Sequence, residues 1–136
     1  MITRAPDETR ALGRALGREV GAGDLVLVSG ALGAGKTAFV QGLAEGLEVT
    51  EPVTSPTFTL MHTYRGRVPL IHVDVYRIER TGELADLALD ELMADAVVAV
   101  EWGDVVAGVL PTRRIEVTIG FGDSDDERTI EVRRAG

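Results

Sequence analysis

The chain has 136 residues, 45% of them apolar and 26% charged, with a formal net charge of −8. That length suits one domain, 1–136, around one core, and the ordinary apolar and charged fractions exclude a disordered body. The absence of cysteine excludes disulfides and thiolate metal sites, and the acidic balance argues against a chain that grips nucleic-acid phosphates by itself.

The first eight residues, Met1 to Glu8, carry no apolar run of signal-peptide type. The longest apolar stretch, Ala96 to Val100, is far too short to cross a bilayer. A soluble, cytoplasmic protein is expected. Pro6 to Val20 reads as the first helix, because proline suits the first helical position and Asp7 and Glu8 complement the positive end of the dipole. Leu12, Leu16 and Val20 recur at four-residue spacing and are expected to face the core; Arg10, Arg14 and Arg18 do the same toward solvent. Gly21 and Gly23 end the helix.

Asp24 to Ser29 is a near-continuous apolar run, the pattern of a strand covered on both faces. A glycine-rich turn follows, then a second helix from Lys36 to about Leu47 with Phe39, Val40, Leu43 and Leu47 on its apolar side. Pro56 breaks any helix in the segment Thr54 to Leu60. Arg65-Gly66-Arg67 reads as a hairpin turn whose returning strand is Val68 to Val75. Glu83 to Ala94 is partly helical, Ala96 to Glu101 is a second buried strand, and Val105 to Leu110 is a short helix before Pro111. Arg114 to Phe121 and Arg128 to Arg134 alternate apolar and polar residues, as in an antiparallel hairpin turning at Gly122 to Asp126. Helices alternating with buried strands give an α/β fold. The expected architecture is a three-layer P-loop NTPase-like sandwich with a mixed, mostly parallel sheet and a C-terminal antiparallel hairpin.

Gly30-Ala31-Leu32-Gly33-Ala34-Gly35-Lys36-Thr37 matches G-x-x-x-x-G-K-[ST] in full, with a buried strand before it and an amphipathic helix after it. The chemistry needs these residue types. Glycines let backbone N–H groups of Gly30, Leu32, Gly33, Ala34 and Gly35 close on phosphate oxygens, and the helix N-terminus at Lys36, Thr37 and Ala38 adds its partial positive charge. Lys36 is expected to reach the β- and γ-phosphates of ATP, and the Thr37 hydroxyl to join the shell of Mg²⁺. Thirteen arginines accompany a single lysine, which stands at this one position. A phosphate loop needs an acid at the tip of a neighbouring strand, and two candidates exist, Asp74 and Glu101. His62 and His72 fall in strands and read as structural, and no third ligand accompanies them for a zinc site.

The phosphate loop, Ser55-Pro56-Thr57-Phe58-Thr59-Leu60, His72-Val73-Asp74-Val75-Tyr76-Arg77 and Glu101-Trp102 together resemble the bacterial TsaE family, in order and spacing over nearly the whole chain. The resemblance implies a partner-dependent ATPase, slow alone, that converts ATP to ADP and phosphate. It implies work with the TsaB–TsaD pair in placing threonylcarbamoyl on adenosine 37 of tRNA, with hydrolysis supporting repeated turnover and tRNA met only through the complex. Thr37 and Glu101 match the family's Mg²⁺ positions, Lys36 and Asp74 its hydrolytic machinery, and Ser55 to Phe58 a mobile loop in which Thr57 senses the γ-phosphate. Glu8 matches a position near the nucleotide base. The chain departs from the family at Ala31, where many members have Asp, and at Ala38, where many have a second Thr; the latter removes a hydroxyl expected at the α-phosphate.

Other uses of a phosphate loop leave other traces. A small-molecule kinase needs an arginine-bearing lid, and only Arg77 and Arg80 offer themselves, without a lid-like insertion. A guanine switch uses Asn-Lys-x-Asp, and the chain has no asparagine.

Overall fold

The computed structural model describes residues 1–30, 35–53, 61–74, 91, 93–101 and 114–135. In chain order these form β1 (Ile2–Thr3), α1 (Pro6–Glu19), β2 (Leu25–Gly30), α2 (Lys36–Gly46), β3 (Met61–Tyr64), β4 (Leu70–Asp74), β5 (Val97–Glu101), β6 (Arg114–Phe121) and β7 (Arg128–Ala135). The elements expected from apolar periodicity appear with ends shifted by one or two residues. β1 was not anticipated, and the returning strand of the first hairpin starts at Leu70 rather than Val68. The expected helices over 83–94 and 105–110 lie outside the described residues, apart from helical 91 and 93.

The strands form one sheet in the order β1-β7-β6-β2-β5-β4-β3. Its middle, β6-β2-β5-β4, is parallel, and the three outer pairings are antiparallel. β2 and β5 carry near-continuous apolar runs because each has strands on both sides and both faces covered: Leu25 to Val28 and Val97 to Val100 are all buried. The outer hairpin differs. In β6, Ile115, Val117 and Ile119 are buried while Thr118 between them is exposed, which is the alternation of a strand with one dry face.

Helices α1 and α2 lie against the face bearing Val26, Val28, Leu70, Val97, Ala99, Val117 and Ile119, and bury Leu16, Phe39, Val40, Leu43 and Leu47 there. The two helices touch backbone to backbone. A Cβ on Gly42 would fall 1.9 Å from the carbonyl oxygen of Arg10, and one on Gly13 would fall 2.1 Å from that of Phe39. Gly17 and Gly46 repeat the arrangement one turn on, at 2.3 Å from Leu43 O and 2.3 Å from Arg14 O. Only residues without side chains allow this approach, so α1 is locked along the helix that follows the phosphate loop. Arg10 and Arg14 then close over the seam onto Glu45, with Arg14 Nε and Nη2 at 2.9 Å and 2.8 Å from its Oε2. Arg67, in the first hairpin turn, donates to Gly17 O and Val20 O at 3.0 Å and 3.1 Å, and so satisfies carbonyls at the end of α1.

Candidate nucleotide site

Parallel pairing brings the C-terminal ends of β2, β4 and β5 to one end of the sheet. Val28 is in register with Glu101, and Glu101 with Asp74. The two acids expected at strand tips are therefore neighbours across one pairing, level with Val28, which lies two residues before Gly30. Open α/β sheets bind ligands at this end.

The loop enters and leaves through two described residues. Gly30 ends β2, and Gly35 caps α2 at φ 106°, a left-handed conformation that favours glycine. No side chain caps α2 and its first turn holds no acid, whereas α1 carries Asp7 and Glu8 in its first turn. Backbone N–H groups at the start of a helix attract an anion, and the first turn of α2 carries no carboxylate that would oppose one. Lys36 is 5% exposed, and its Nζ donates to Gly30 O at 2.7 Å, which draws the ammonium across the mouth of the loop. Thr37 and Ala38 follow in the first turn, both half-buried. Leu32, Gly33, Ala34 and the departure at Ala31 lie outside the described residues, as do Thr57, the rest of 54–60, and Trp102.

Glu101 is 3% exposed at the end of β5. Its Oε2 meets Nε2 of His72, which is fully buried. Since a carboxylate only accepts, Nε2 is the donating nitrogen. Sequence reasoning took His72 for structural; the structure places its imidazole against Glu101, a contact that reasoning did not name. A signal was present: period 2 puts residue 72 in phase with 74 on a dry strand, and a buried imidazole needs a polar partner. His62, its register partner on β3, is exposed and stacks on Tyr64 with centroids 4.2 Å apart.

Glu8 is exposed, and its Oε1 accepts from the backbone N–H of Arg4 at 3.1 Å. Its neighbour Thr9 is buried, bonds Thr3 hydroxyl to hydroxyl at 2.8 Å, and lies 3.9 Å from where a Cβ of Gly35 would stand. The first turns of α1 therefore abut the start of α2.

Among the described residues no three or more His, Asp or Glu gather to cage a metal. A Mg²⁺ ion at a nucleotide does not need a cage, since it takes one or two carboxylates and shares the phosphates. Glu101 fits that demand, being buried, engaged at one oxygen and without a described partner at the other. Among the described residues no helix is long and apolar enough to cross a membrane.

A buried strand, a glycine-bounded loop and a lysine at the head of a helix, all at the carboxyl edge of a parallel sheet, define a P-loop-like α/β fold of the nucleotide-binding kind. The family model described as threonylcarbamoyl adenosine biosynthesis protein TsaE matches residues 3–130. A tRNA threonylcarbamoyladenosine biosynthesis protein TsaE from Treponema pallidum is 39% identical over 131 residues, which are 95% of this chain and 97% of that one. The protein of the same name from Streptomyces coelicolor is 46% identical over 124 residues, 87% of this chain and 84% of its own. The crystal structure of YdiB from Bacillus subtilis superposes with a TM-score of 0.82 at 35% identity, covering 100% of this chain and 84% of that one. This chain belongs to the TsaE family.

Proposed function

We propose that this chain is the ATP-binding and ATP-hydrolysing subunit required for N6-threonylcarbamoyladenosine modification at position 37 of tRNA, acting in the cytoplasm with the TsaB–TsaD complex to allow repeated turnover. The observation that carries the reading is the convergence of Lys36, buried at the head of an uncapped α2, with a buried carboxylate at the tip of the neighbouring strand. Family membership supplies the pathway.

In this reading the backbone of Gly30, Leu32, Gly33, Ala34 and Gly35 and the first turn of α2 through Ala38 cradle the phosphates, and Lys36 neutralises the β- and γ-oxygens. Thr37 and Glu101 hold Mg²⁺, which when bound offsets charge that develops on the transferring phosphoryl group. Asp74, in register with Glu101, orients the attacking water or assists the metal. Thr57 senses the γ-phosphate, and Glu8 lies toward the base. Ala38 offers the α-phosphate only its backbone N–H, which predicts modest nucleotide affinity in the isolated chain.

The test is co-purification of this chain with TsaB–TsaD in the presence and absence of ATP, together with phosphate release. Slow hydrolysis alone, nucleotide-dependent association and altered hydrolysis in the complex are expected. Failure to bind TsaB–TsaD under either condition refutes the assignment, and phosphorylation of a nucleoside or small metabolite would point to a kinase instead.

A further inference from the structure

In the proposed function Glu101 holds the metal, and its flexible side chain must be held for that. A glutamate has three rotatable bonds, and a metal ligand works only when its oxygen is already placed. Among the described residues one group touches this carboxylate, the imidazole of His72.

The register explains the contact. His72 on β4 lies opposite Ala99 on β5, and Glu101 is two residues beyond Ala99. A diagonal pair of this kind is within reach of a long side chain, and the single methyl of Ala99 leaves the imidazole room to lean toward Glu101. Both partners are buried, at 0% and 3% exposure, so water does not compete strongly for the bond.

A purely structural role accounts poorly for this residue. Leu70 and Val97, both fully buried, show that an apolar side chain suits this layer. An imidazole here instead leaves its Nδ1 buried without a partner among the described residues. An unsatisfied buried polar atom is disfavoured in a core and calls for an explanation. Because the ring engages Oε2 alone, Oε1 stays available.

We propose that His72 is a positioning residue for the nucleotide-bound metal: its Nε2 holds Oε2 of Glu101, fixing the carboxylate so that Oε1 serves the cation. The inference rests on the reading of Glu101 given above, and it adds a residue that acts through the ligand without touching the metal or the phosphates. Outer partners of this kind typically change metal affinity by about 10–100-fold when removed.

The experiment measures Mn²⁺ binding to the intact chain loaded with the non-hydrolysable imido analogue of ATP, read by electron paramagnetic resonance, and binding of the same analogue in EDTA. His72→Phe keeps an aromatic ring, a somewhat larger one, and removes the donor; His72→Gln places an amide N–H near the position of Nε2. His72→Phe is expected to weaken Mn²⁺ binding by about 10–100-fold with metal-free nucleotide affinity unchanged, and His72→Gln to recover most of the loss. Equal Mn²⁺ affinity in His72→Phe and the unaltered chain overturns the proposal, as does an equal loss in His72→Gln. Should His72→Phe not fold, His72→Asn and His72→Gln decide, since both keep an amide and only the longer one reaches Glu101; equal affinities overturn the proposal. Glu101→Gln separates the two readings. A Mn²⁺ loss in Glu101→Gln without one in His72→Phe removes the role of His72 and leaves that of Glu101 standing. No loss in Glu101→Gln removes both.

Discussion

Glu101 and Glu116 are both strand carboxylates beside a nitrogen-bearing partner, yet they sit in opposite halves of the sheet and in different surroundings. Glu101, on the dry parallel side, is 3% exposed and its partner His72 is fully buried. Glu116, on the outer hairpin, is 17% exposed; Arg133 reaches it from a position 68% exposed, with Arg114 beside it. The first pair is shut off from water, and a buried polar group is tolerated only with a hydrogen-bond partner, which each supplies to the other. The second can be rehydrated when its partner leaves. What separates the two carboxylates is burial of the partner: His72 is closed off from water and Arg133 is not.

The sharpest way to break that contrast is to neutralise each acid without changing its shape. On the proposed metal role of Glu101, Glu101→Gln is expected to lower ATP hydrolysis by about 10²-fold or more, because losing such a ligand would remove several kcal/mol of charge stabilisation. Glu116→Gln is expected to leave hydrolysis within about twofold, as ordinary for a surface change. Phosphate release at saturating Mg²⁺ measures both. Comparable losses in the two variants would show that the electrostatics of the whole sheet, not the strand tip, governs the reaction.

A second comparison asks what holds α1 on α2, the glycine seam or the ion pairs that close over it. Gly42→Ala puts a methyl into the backbone of α1, 1.9 Å from Arg10 O, where no rotamer can relieve it. The helices must part, and a loss of roughly 1–3 kcal/mol or more is expected by urea unfolding, despite alanine's better helix propensity. Gly21→Ala, with nothing within 4 Å of the added carbon, is expected to change stability by less than about 0.5 kcal/mol. If the two alanines cost the same, the seam is looser than its geometry.

These residues also mark what could be read from the sequence. The glycine-rich motif could be named because its residue types and spacing are distinctive, α1, α2 and the hairpin β6–β7 could be read because their apolar spacing follows a structural period, and β2 and β5 because they are continuous apolar runs. β1 was not, since two residues carry no period; they become a strand only because β7 offers them an edge at Thr129 and Arg128. The seam was not either. Gly13, Gly17, Gly42 and Gly46 look like weak points in two helices, and their purpose exists only when the helices meet. The carboxylate tips could be named as candidates, but their adjacency depends on β4 and β5 pairing in parallel, across a crossover that no local pattern specifies. His72 fell between these cases, legible in phase but not in partner.

Acid should act on the half-exposed ion pair between the two helices. The Arg14 guanidinium, helped by Arg10, holds the Glu45 carboxyl below its ordinary value against the opposing effect of partial burial. A carboxylate depressed in the folded state contributes stability above its unfolded pKa and loses it as pH falls through the lower, folded value. The contribution of Glu45 should thus be intact at neutral pH and fade below about pH 4.5, the ordinary glutamate value. Glu45→Gln is expected to cost about 0.5 kcal/mol near neutrality, discounted for exposure, and almost nothing at about pH 3. Urea midpoints at the two pH values check this; a cost that persists in acid would assign the effect to packing.

The smallest effect is expected at the hairpin. Arg133 bonds Glu116 Oε1 at 3.2 Å and Oε2 at 2.6 Å, and this bond is the chief reason that the Glu116 carboxyl lies below its ordinary value. Good geometry does not make the pair strong. Arg133 is 68% exposed, so its guanidinium gives up water and rotamer freedom to hold one position in a high-dielectric medium. Arg114, at 3.4 Å from Oε1, remains with Glu116 when Arg133 is gone, so no charge is stranded. Arg133→Ala is accordingly expected to change unfolding free energy by less than about 0.5 kcal/mol, and by still less at about 1 M salt, where screening acts over roughly 3 Å. A loss above about 1 kcal/mol that survives high salt would mean that the arginine's methylene stem, laid along the strand, holds the hairpin more than its charge does.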